Sequence, residues 1–215
     1  MTDMATKPPA KTQSPRGRVD KRALLIEIGT AIFTQKGFSS TGLDEIVQAA
    51  EVPKGSFYYY FPSKDEYAIE VIRNYAQYFA RKLERTLEDD SLTPLERLKA
   101  FTRDAASGVQ RFEFKRGCLI GNLGQEMASI EEEFRVVLLE VLSDWRNRFR
   151  ICLDEAKAIK EITTQVDSAE LARFFWSAWE GAVLCAKLER STAPLENVSR
   201  LFFEQMLQPA AKNKT

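Results

Sequence analysis

Apolar residues recur at three- and four-residue spacing along almost the whole chain, and no stretch alternates between apolar and polar residues with a period of two. The breaks between these patterns hold residues that start or stop helices, such as Asp167 before one pattern and Gly37 after another. Strands need alternation, or short apolar runs bounded by turn residues, so a sheet is not expected. The sequence therefore predicts an all-α protein of about nine helices.

Three short helix patterns come first, and six mostly longer ones follow. Gly37 is expected to end the first helix in a left-handed conformation, just after the cation Lys36. Thr93, Pro94 and Glu96 combine an N-cap, a helix-start proline and a capping box. The first residues or N-caps of the predicted helices are, in order, Leu24, Thr41, Gly55, Ser63, Thr93, Cys118, Ser129, Asp167 and Pro194, with the last helix running to Leu207.

Composition narrows the possible function classes. The 215 residues include no histidine, so neither a Ser-His-Asp nor a Cys-His catalytic site can form. Cys118, Cys152 and Cys185 lie more than thirty residues apart without a CxxC pair, which argues against a zinc site. We expect no metal, no cofactor and no enzymatic activity. Three unpaired thiols, with no apolar run near ~18 residues, predict a cytoplasmic protein without a membrane segment.

The segment from Thr41 to Lys64 carries two short helix patterns that meet at a tight turn. Val52 is the apolar residue of this turn and can fill the angle between the two helices, which is typical of a helix-turn-helix. The second pattern holds five consecutive aromatic residues, from Phe57 to Phe61. Helical geometry places its two phenylalanines on one inward face, so several of the tyrosines between them must reach solvent or a partner.

Two interpretations of this aromatic run are open. Hydroxyls, a lysine and the free N–H groups of a helix start all hydrogen-bond phosphates and base edges, so the helix can enter a major groove. Alternatively, the rings form a cluster that packs two helices of an ordinary bundle. The turn, the three consecutive tyrosines and the nearby Lys64 favour DNA binding.

In this segment the chain resembles the TetR family of transcriptional regulators. The resemblance implies a homodimer whose two heads enter successive major grooves of a roughly palindromic operator on double-stranded DNA. It also implies a repressor that a small-molecule effector releases from the operator. The matching positions are Ile32-Phe33, Lys36-Gly37-Phe38, Thr41, Asp44-Glu45-Ile46, Ala49-Ala50, Val52, Lys54-Gly55-Ser56-Phe57-Tyr58, Tyr60-Phe61 and Ser63-Lys64.

The resemblance assigns DNA contacts by position. Ser40 and Thr41 are expected to contact phosphate at the start of the second helix, and Tyr60 and Lys64 to contact the DNA backbone. The family often has a histidine in the aromatic run, where this chain has a tyrosine. The residues expected to face the operator are Lys54, Gly55, Ser56, Tyr58 and Tyr59.

The patterns divide the chain into four parts. We expect a disordered basic arm (1–19), a helix-turn-helix DNA-binding domain (20–62), an effector-binding and dimerisation domain (63–208) and a flexible tail (209–215). The formal net charge is zero, with 31 Lys+Arg and 31 Asp+Glu. Up to Pro62, however, 8 Lys+Arg stand against 6 Asp+Glu, so the DNA-binding part is mildly basic and the remainder mildly acidic.

Cys118 lies in an unusual segment with glycines on both sides and Lys115 and Arg116 just before it. A thiol at a helix N-terminus beside cations has a lowered pKa and a more reactive thiolate. The segment resembles a branch of the family that includes the acrylate-responsive repressor and the repressor of N-ethylmaleimide reductase, where a Gly-Cys-Leu at this place helps to sense electrophiles. We expect Cys118 to line or gate the effector cavity; the alternative is a small buried hydrophobe.

Several polar and aromatic residues are expected to converge on this cavity, although each could equally be packed in the core. Arg146, Arg148 and Arg150 could pair with an anionic effector, but their alternation favours a solvated helix face. Cys152 and Cys185 lie mid-helix among apolar neighbours and are expected in the core. The expected effector-binding residues are Cys118, Asn122, Gln125, Glu126, Trp145, Trp176 and Trp179.

The last two helices carry more apolar surface than one partner helix would cover, and their small residues permit close approach. A four-helix interface between two copies explains this surface; packing within one chain is the alternative. The expected dimerisation residues are Ala178, Ala182, Ala186, Leu201 and Phe202. The sequence as a whole predicts a ligand-responsive DNA-binding repressor with an effector of electrophilic or acrylate-like chemistry. A thiol-dependent small enzyme and a helical protein-interaction module are the alternatives.

Overall fold

The computed structural model describes residues 20–209, so the predicted basic arm and the predicted tail beyond Pro209 lie outside it. The all-α prediction is confirmed, and an isolated bridge between Ile162 and Pro209 is the strand-like pairing within this range. No helix of the described residues is both long and apolar enough to cross a membrane. The helices are α1 (Lys21–Lys36), α2 (Leu43–Ala49), α3 (Lys54–Tyr60), α4 (Lys64–Leu87), α5 (Pro94–Arg111), α6 (Leu119–Met127), α7 (Glu132–Ala158), α8 (Ser168–Glu189) and α9 (Ala193–Arg200), followed by a π-helical turn (Leu201–Met206).

Three predicted N-caps are confirmed. The Thr93 side chain accepts from the Glu96 N–H while the Glu96 carboxylate accepts from the Thr93 N–H, which completes the capping box. Ser63 accepts from the N–H of Glu66 at 3.0 Å, and Asp167 caps α8 in the same manner. These caps satisfy N–H groups that would otherwise lack partners at the helix starts.

Two predicted N-caps are wrong. Helix α2 starts at Leu43 after Gly42, because the Thr41 hydroxyl instead donates to the carbonyl oxygen of Gly37 at 2.7 Å. Helix α7 starts at Glu132, and the exposed Ser129 lies too far upstream to cap it.

The last predicted helix is interrupted rather than continuous. Helix α9 ends at Arg200 and widens into the π-helical turn, in which the Leu207 N–H donates to the Phe202 carbonyl five residues earlier. Phe202 and the adjacent Phe203 are both buried. Consecutive side chains of an α-helix diverge by about 100°, which would direct these two rings to different faces. In the wider π-helical turn both rings are buried instead.

The head, formed by α1, α2 and α3, is joined to α4 by Tyr67. The Tyr67 ring packs against Phe57 and Phe61 at centroid distances of 5.1 and 4.9 Å, and its hydroxyl donates to the Leu25 carbonyl at 2.6 Å. Gly29 permits this approach, because a Cβ there would overlap the Tyr67 hydroxyl. Phe57 and Phe61 therefore belong to the core, as predicted, and α4 is fixed to the head.

The larger part of the molecule packs around an aromatic core formed by α4, α5, α7, α8 and the π-helical turn. Phe149 and Phe175 stack at 4.2 Å, and Trp145 lies 4.2 Å from Phe79 and 5.0 Å from Trp176. Helix α6 covers one end of this core and also packs against α1. The short α6 therefore bridges the bundle and the head.

Candidate DNA-binding and effector sites

Helix α3 presents two of its three tyrosines to solvent. Tyr59 is 82% exposed and Tyr58 is 52% exposed, whereas Phe57 on the opposite face is fully buried. Gly55 is exposed at the start of the helix, and a Cβ there would have open space around it. This arrangement leaves an aromatic, hydroxyl-bearing surface that the core does not use.

Lys54 is exposed at the start of α3, and its ammonium pairs with Asp44 of α2 at 2.7 Å. This ion pair raises the Lys54 pKa, so the side chain remains charged. Ser56 is half-buried beside it, and Ser40 is exposed in the loop before α2. These three polar residues remain predicted DNA contacts.

The predicted phosphate contact of the Thr41 side chain is wrong. Thr41 is 1% exposed, and its hydroxyl is used by the Gly37 carbonyl, so the side chain closes the α1–α2 loop. A threonine that precedes a short helix has the same sequence signature whether its hydroxyl faces DNA or the loop, so the sequence could not separate the two.

Tyr60 and Lys64, the two predicted contacts to the DNA backbone, are both half-buried. The Lys64 ammonium donates to the Phe38 carbonyl at 2.8 Å and lies 3.9 Å from the centre of the Phe38 ring. Burial lowers the Lys64 pKa. In this structure Lys64 therefore ties α4 to the α1–α2 loop, and its contact to DNA stays a prediction.

A cleft of about 270 Å³ opens where the end of α1 meets α6 and α8. It brings the head and the bundle together around one space and contains four predicted effector residues: Cys118, Asn122, Gln125 and Glu126. The complete lining is Gln35, Lys36, Gly37, Cys118, Gly121, Asn122, Gln125, Glu126, Glu180, Val183, Leu184 and Lys187.

Cys118 is the N-cap residue of α6, but its side chain makes no capping hydrogen bond to the N–H groups of the first turn. The Glu180 carboxyl group and the Tyr75 hydroxyl are the ionisable side chains beside its thiol. Burial, followed by the charge of Glu180, raises the pKa of the Cys118 thiol well above its usual value. The expected lowered pKa is therefore wrong. Cys118 does line the cleft, and its role at an effector cavity stays a prediction.

The two cations expected to activate Cys118 turn away from it. The Lys115 ammonium pairs with Glu113 at 2.5 Å, and the Arg116 guanidinium lies 4.4 Å from the centre of the Phe112 ring. Adjacency in sequence did not give adjacency in space, because residues 115–118 are extended rather than helical. A carboxyl group from α8 faces the thiol instead.

Glu180 lines the cleft but was not among the residues predicted to do so from the sequence. Burial raises the pKa of its carboxyl group from 4.5 to about 7, and the neighbouring Cys118 thiol opposes that rise. A Cβ on Gly121 would overlap the Glu180 carboxylate, so Gly121 provides the space that the carboxylate occupies. A signal existed: Glu180 is the sole charged residue between Arg173 and Lys187 in an otherwise apolar helix.

Glu126 and Asn122 connect the cleft to the head. The Glu126 carboxylate accepts from the N–H groups of Phe38 and Ser39 at 2.8 and 2.7 Å. The Asn122 side chain donates to the Thr34 carbonyl at 2.9 Å, near the end of α1. We call Glu126 and Asn122 the α6 clamp, because both bind the head's backbone.

Gly37 makes the clamp possible at the end of α1. Its φ is +84°, a value that side-chain-bearing residues rarely adopt, so the predicted left-handed glycine is confirmed in φ; its ψ of 179° is extended, unlike that of a left-handed helix. A Cβ there would also lie 2.6 Å from a Glu126 carboxylate oxygen. Backbone conformation and close approach therefore both require glycine at this position.

The predicted effector role of the three tryptophans is wrong. Trp145, Trp176 and Trp179 are at most 3% exposed and belong to the aromatic core, and none of them lines the cleft. Large apolar rings gain most from complete burial, and their spacing along a helix is the same in a cavity wall and in a core.

The remaining predicted residues divide between core and surface. Cys152 is buried as expected, whereas Cys185 is exposed, so its assignment to the core is wrong. Arg148 pairs with Asp144, Glu84 and Glu88. Arg150 pairs with Asp154, so both arginines have carboxylate partners within the chain, as the helix-face alternative requires.

Three of the predicted dimerisation residues are buried within the chain. Ala182, Ala186 and Phe202 are at most 5% exposed, so their side chains cannot form an intermolecular surface as the structure stands. Ala178 is half-buried and Leu201 is 43% exposed, and both remain available. The exposed stripe on α8 consists instead of Phe174, Gly181, Leu184 and Leu188.

Comparison with known proteins gives concordant matches over both parts of the chain. The families described as "Bacterial regulatory proteins, tetR family" and "Tetracyclin repressor-like, C-terminal domain" match residues 21–71 and 94–202. The transcriptional regulator AcuR of Cereibacter sphaeroides is 45% identical over 207 residues, 94% of either chain. The HTH-type transcriptional repressor NemR of Escherichia coli (strain K12) is 30% identical over 83% of this chain and 89% of its own. A crystal structure of regulatory protein TetR from Rhodobacter sphaeroides superposes with a TM-score of 0.83 at 46% identity, covering 86% of this chain and 97% of that one.

Proposed function

Because the chain belongs to the TetR family of bacterial regulatory proteins, and is thus a ligand-responsive DNA-binding transcriptional regulator, we propose that an electrophilic effector releases it from its operator by reacting with Cys118. The relatives AcuR and NemR match the branch predicted from the Cys118 segment. One observation carries the proposal: a single cleft is lined by Cys118 and by Lys36 and Gly37 of the head.

On DNA, α3 enters the major groove with its N-terminal end leading. Tyr59 and Tyr58 provide exposed rings and hydroxyls for base edges and phosphates, and Lys54 provides a positive charge. The buried face of α3 holds the helix against α4 through Tyr67. The exposed, DNA-facing surface of α3 is thus rigidly attached to α4, the long first helix of the bundle.

Two copies assemble through the exposed stripe of α8. Phe174, Leu184 and Leu188 are 51%, 45% and 76% exposed, and Gly181 between them allows the helices to approach closely. Helix α8 packs against α9 within the chain, so two such pairs form a four-helix interface. The interface fixes the separation of the two heads that a palindromic operator requires.

The effector acts through the α6 clamp. An adduct on Cys118 adds atoms inside the cleft between α6, α8 and the end of α1, and its contacts favour a different position of these walls. Glu126 and Asn122 transmit that displacement directly to the α1–α2 loop and to α1. The changed head position breaks simultaneous contact with two grooves, and a preference of ~2–3 kcal/mol between the two states shifts operator occupancy more than tenfold.

The DNA-binding part of the proposal is tested by Tyr59→Ala. An operator is first selected from random duplex DNA with the full-length protein. The variant is expected to bind this operator about tenfold more weakly, because an exposed reading side chain is lost while the core is untouched. Thermal unfolding should be unchanged. Equal operator affinity for the two proteins would contradict the placement of α3 in the groove.

The effector part is tested by Cys118→Ser. Treatment with acrylamide, a neutral α,β-unsaturated amide, is expected to release the wild-type protein from the selected operator. The serine variant should bind the operator normally and remain bound after the same treatment. Full release of the variant would contradict the role of Cys118.

A further inference from the structure

The Cys118 thiol and the Glu180 carboxyl group form a pair that DNA binding does not require. They come from the N-cap of α6 and from α8 and both line the cleft, where a Cβ on Gly121 would overlap a Glu180 carboxylate oxygen and lie 3.8 Å from the Cβ of Cys118. Tyr75 of α4 lies beside Cys118 and completes the cluster. Three helices thus converge on one sulfur atom, and one of the groups that they supply is a base.

Gly121 shows that the position of Glu180 is built into α6. A side chain at Gly121 would collide with the Glu180 carboxylate, so the first turn of α6 is shaped around that carboxylate. Gly124, one turn further along the same helix, has open space around its would-be Cβ. The two glycines of one short helix therefore provide a natural pair of test position and control.

We propose that Glu180 is the general base that accepts the Cys118 proton when the thiol adds to the carbon–carbon double bond of an α,β-unsaturated carbonyl effector. This inference rests on the proposed function and names the chemistry of its site. The sulfur forms a bond to the β-carbon, and the π electrons of the double bond move to the α-carbon and its carbonyl. The thiol proton passes to a Glu180 oxygen and then to the α-carbon, so atoms and electrons balance without an oxidant or reductant.

The surroundings of the sulfur suit this step. Cys118 precedes the first turn of α6, so the positive end of the helix dipole stabilises the negative charge that develops on the sulfur. The thiol is protonated at neutral pH because its pKa is raised, so it needs a base before it can attack. Glu180, with a pKa of about 7, is a stronger base than an ordinary glutamate and is still ionised in part at neutral pH.

Other charged and titratable groups face the same space. Lys36 comes from α1, Glu126 from α6 and Lys187 from α8, while Tyr75 of α4 lies behind the lining, beside Cys118. Glu126 is held by two backbone N–H groups of the α1–α2 loop. Of the carboxylates that line the cleft, Glu180 is the one beside the thiol.

The sign of one substitution separates a base from a mere neighbouring charge. If Glu180 acted only through its negative charge, Glu180→Gln would lower the thiol pKa and accelerate the reaction of Cys118. If Glu180 accepts the proton, the same substitution removes the base and slows the reaction. The proposal predicts the second result, with a decrease of at least about tenfold.

The experiment measures the rate at which acrylamide modifies each cysteine of the full-length protein, by peptide mass spectrometry. Glu180→Gln and Gly121→Ala are expected to slow Cys118 at least about tenfold, and Gly124→Ala to leave it within about twofold. The exposed Cys185 serves as an internal reference whose rate should be the same in all proteins. An unchanged or faster Cys118 in Glu180→Gln would overturn the proposal.

The pH profile provides a readout that a purely structural role would not change. The wild-type Cys118 rate should rise with pH and reach half of its plateau near pH 7, as Glu180 ionises. This rise should be absent from Glu180→Gln, whose rate should follow the thiol alone at higher pH. Identical profiles in the two proteins would overturn the proposal.

Failure of this inference and failure of the proposed function are distinguishable. Glu180→Gln is driven to complete Cys118 modification by long exposure, and its operator binding is then measured. Release of this modified variant, combined with an unchanged modification rate, would reject Glu180 as the base and retain Cys118 as the sensor. Operator binding that survives complete Cys118 modification would reject the proposed function itself.

Discussion

The aromatic core and the cleft both use residues of α8, yet the two regions differ in the kind of side chain that they contain. In the core, Phe149, Phe175 and Trp176 are at most 1% exposed and contact other rings. In the cleft, Cys118 and Glu180 are half-buried polar groups, and the pKa of each is raised. The core stabilises the fold by burying apolar rings away from water. The cleft instead contains ionisable groups whose charged forms are disfavoured by burial.

This difference indicates where function lies. Buried polar groups lower the free energy of unfolding unless they are fully satisfied, so a fold gains nothing from a carboxyl group like that of Glu180. Perturbed ionisable groups cluster at functional sites for this reason. Replacing a central residue should therefore lower the free energy of unfolding in the core and raise it in the cleft.

The largest expected effect comes from the core. Phe149→Ala leaves a cavity beside Phe175 and should lower the free energy of unfolding by about 3–5 kcal/mol. Ile151→Ala, two residues away on the exposed face of α7, should lower it by about 1 kcal/mol or less. Urea denaturation measures both. Similar losses in the free energy of unfolding for the two variants would contradict the assignment of Phe149 to the aromatic core.

The second effect has the opposite sign and comes from the cleft. The folded-state pKa of Glu180 is raised to about 7, so its contribution to stability is present below about pH 4.5 and is lost as the pH rises through 7. Glu180→Gln does not titrate, so between pH 5 and pH 8 it should gain on the order of 2 kcal/mol relative to wild type. Urea denaturation at both pH values measures this gain. A pH-independent difference between the two proteins would show that Glu180 is not buried as an ionisable group.

The smallest effect tests the α6 clamp. The Glu126 carboxylate accepts two N–H groups, and a glutamine can accept only one of them well, so Glu126→Gln should loosen the α1–α2 loop. We expect about a fivefold loss of operator affinity, roughly 1 kcal/mol. Ser129→Ala, just beyond α6 and exposed, is the control and should bind as wild type does. Unchanged affinity for Glu126→Gln would remove the clamp from the release pathway.

The head was predictable from sequence because its signals are local. The Val52 turn, the inward Phe57 and Phe61 and the positive φ of Gly37 depend on neighbours within a few residues, and all are present. The prediction for Thr41 was wrong because its hydroxyl can bond either to a DNA phosphate or to a carbonyl of its own loop, and the local sequence is the same in both cases. Its choice of the Gly37 carbonyl is decided by how the loop closes.

The cleft was predictable only in part because its walls come from distant segments. Four residues of α6 were found from their unusual local sequence, but Glu180 and Lys36 reach the cleft through tertiary packing. The expected activation of Cys118 failed for the same reason, since chain neighbours turned away and a carboxyl group from α8 took their place. Trp176 was misplaced because burial, rather than residue type, separates core from cavity.

The most direct test of Cys118 as the effector sensor follows Cys118 modification and operator release in the same samples. The wild-type protein on its selected operator is treated with increasing acrylamide, and the fraction bound and the modified fraction of each cysteine are measured together. We expect the bound fraction to fall in proportion to the modified fraction of Cys118 and to be independent of the modification of Cys185. Release that follows Cys185 instead, or persistent binding after Cys118 is fully modified, would contradict it.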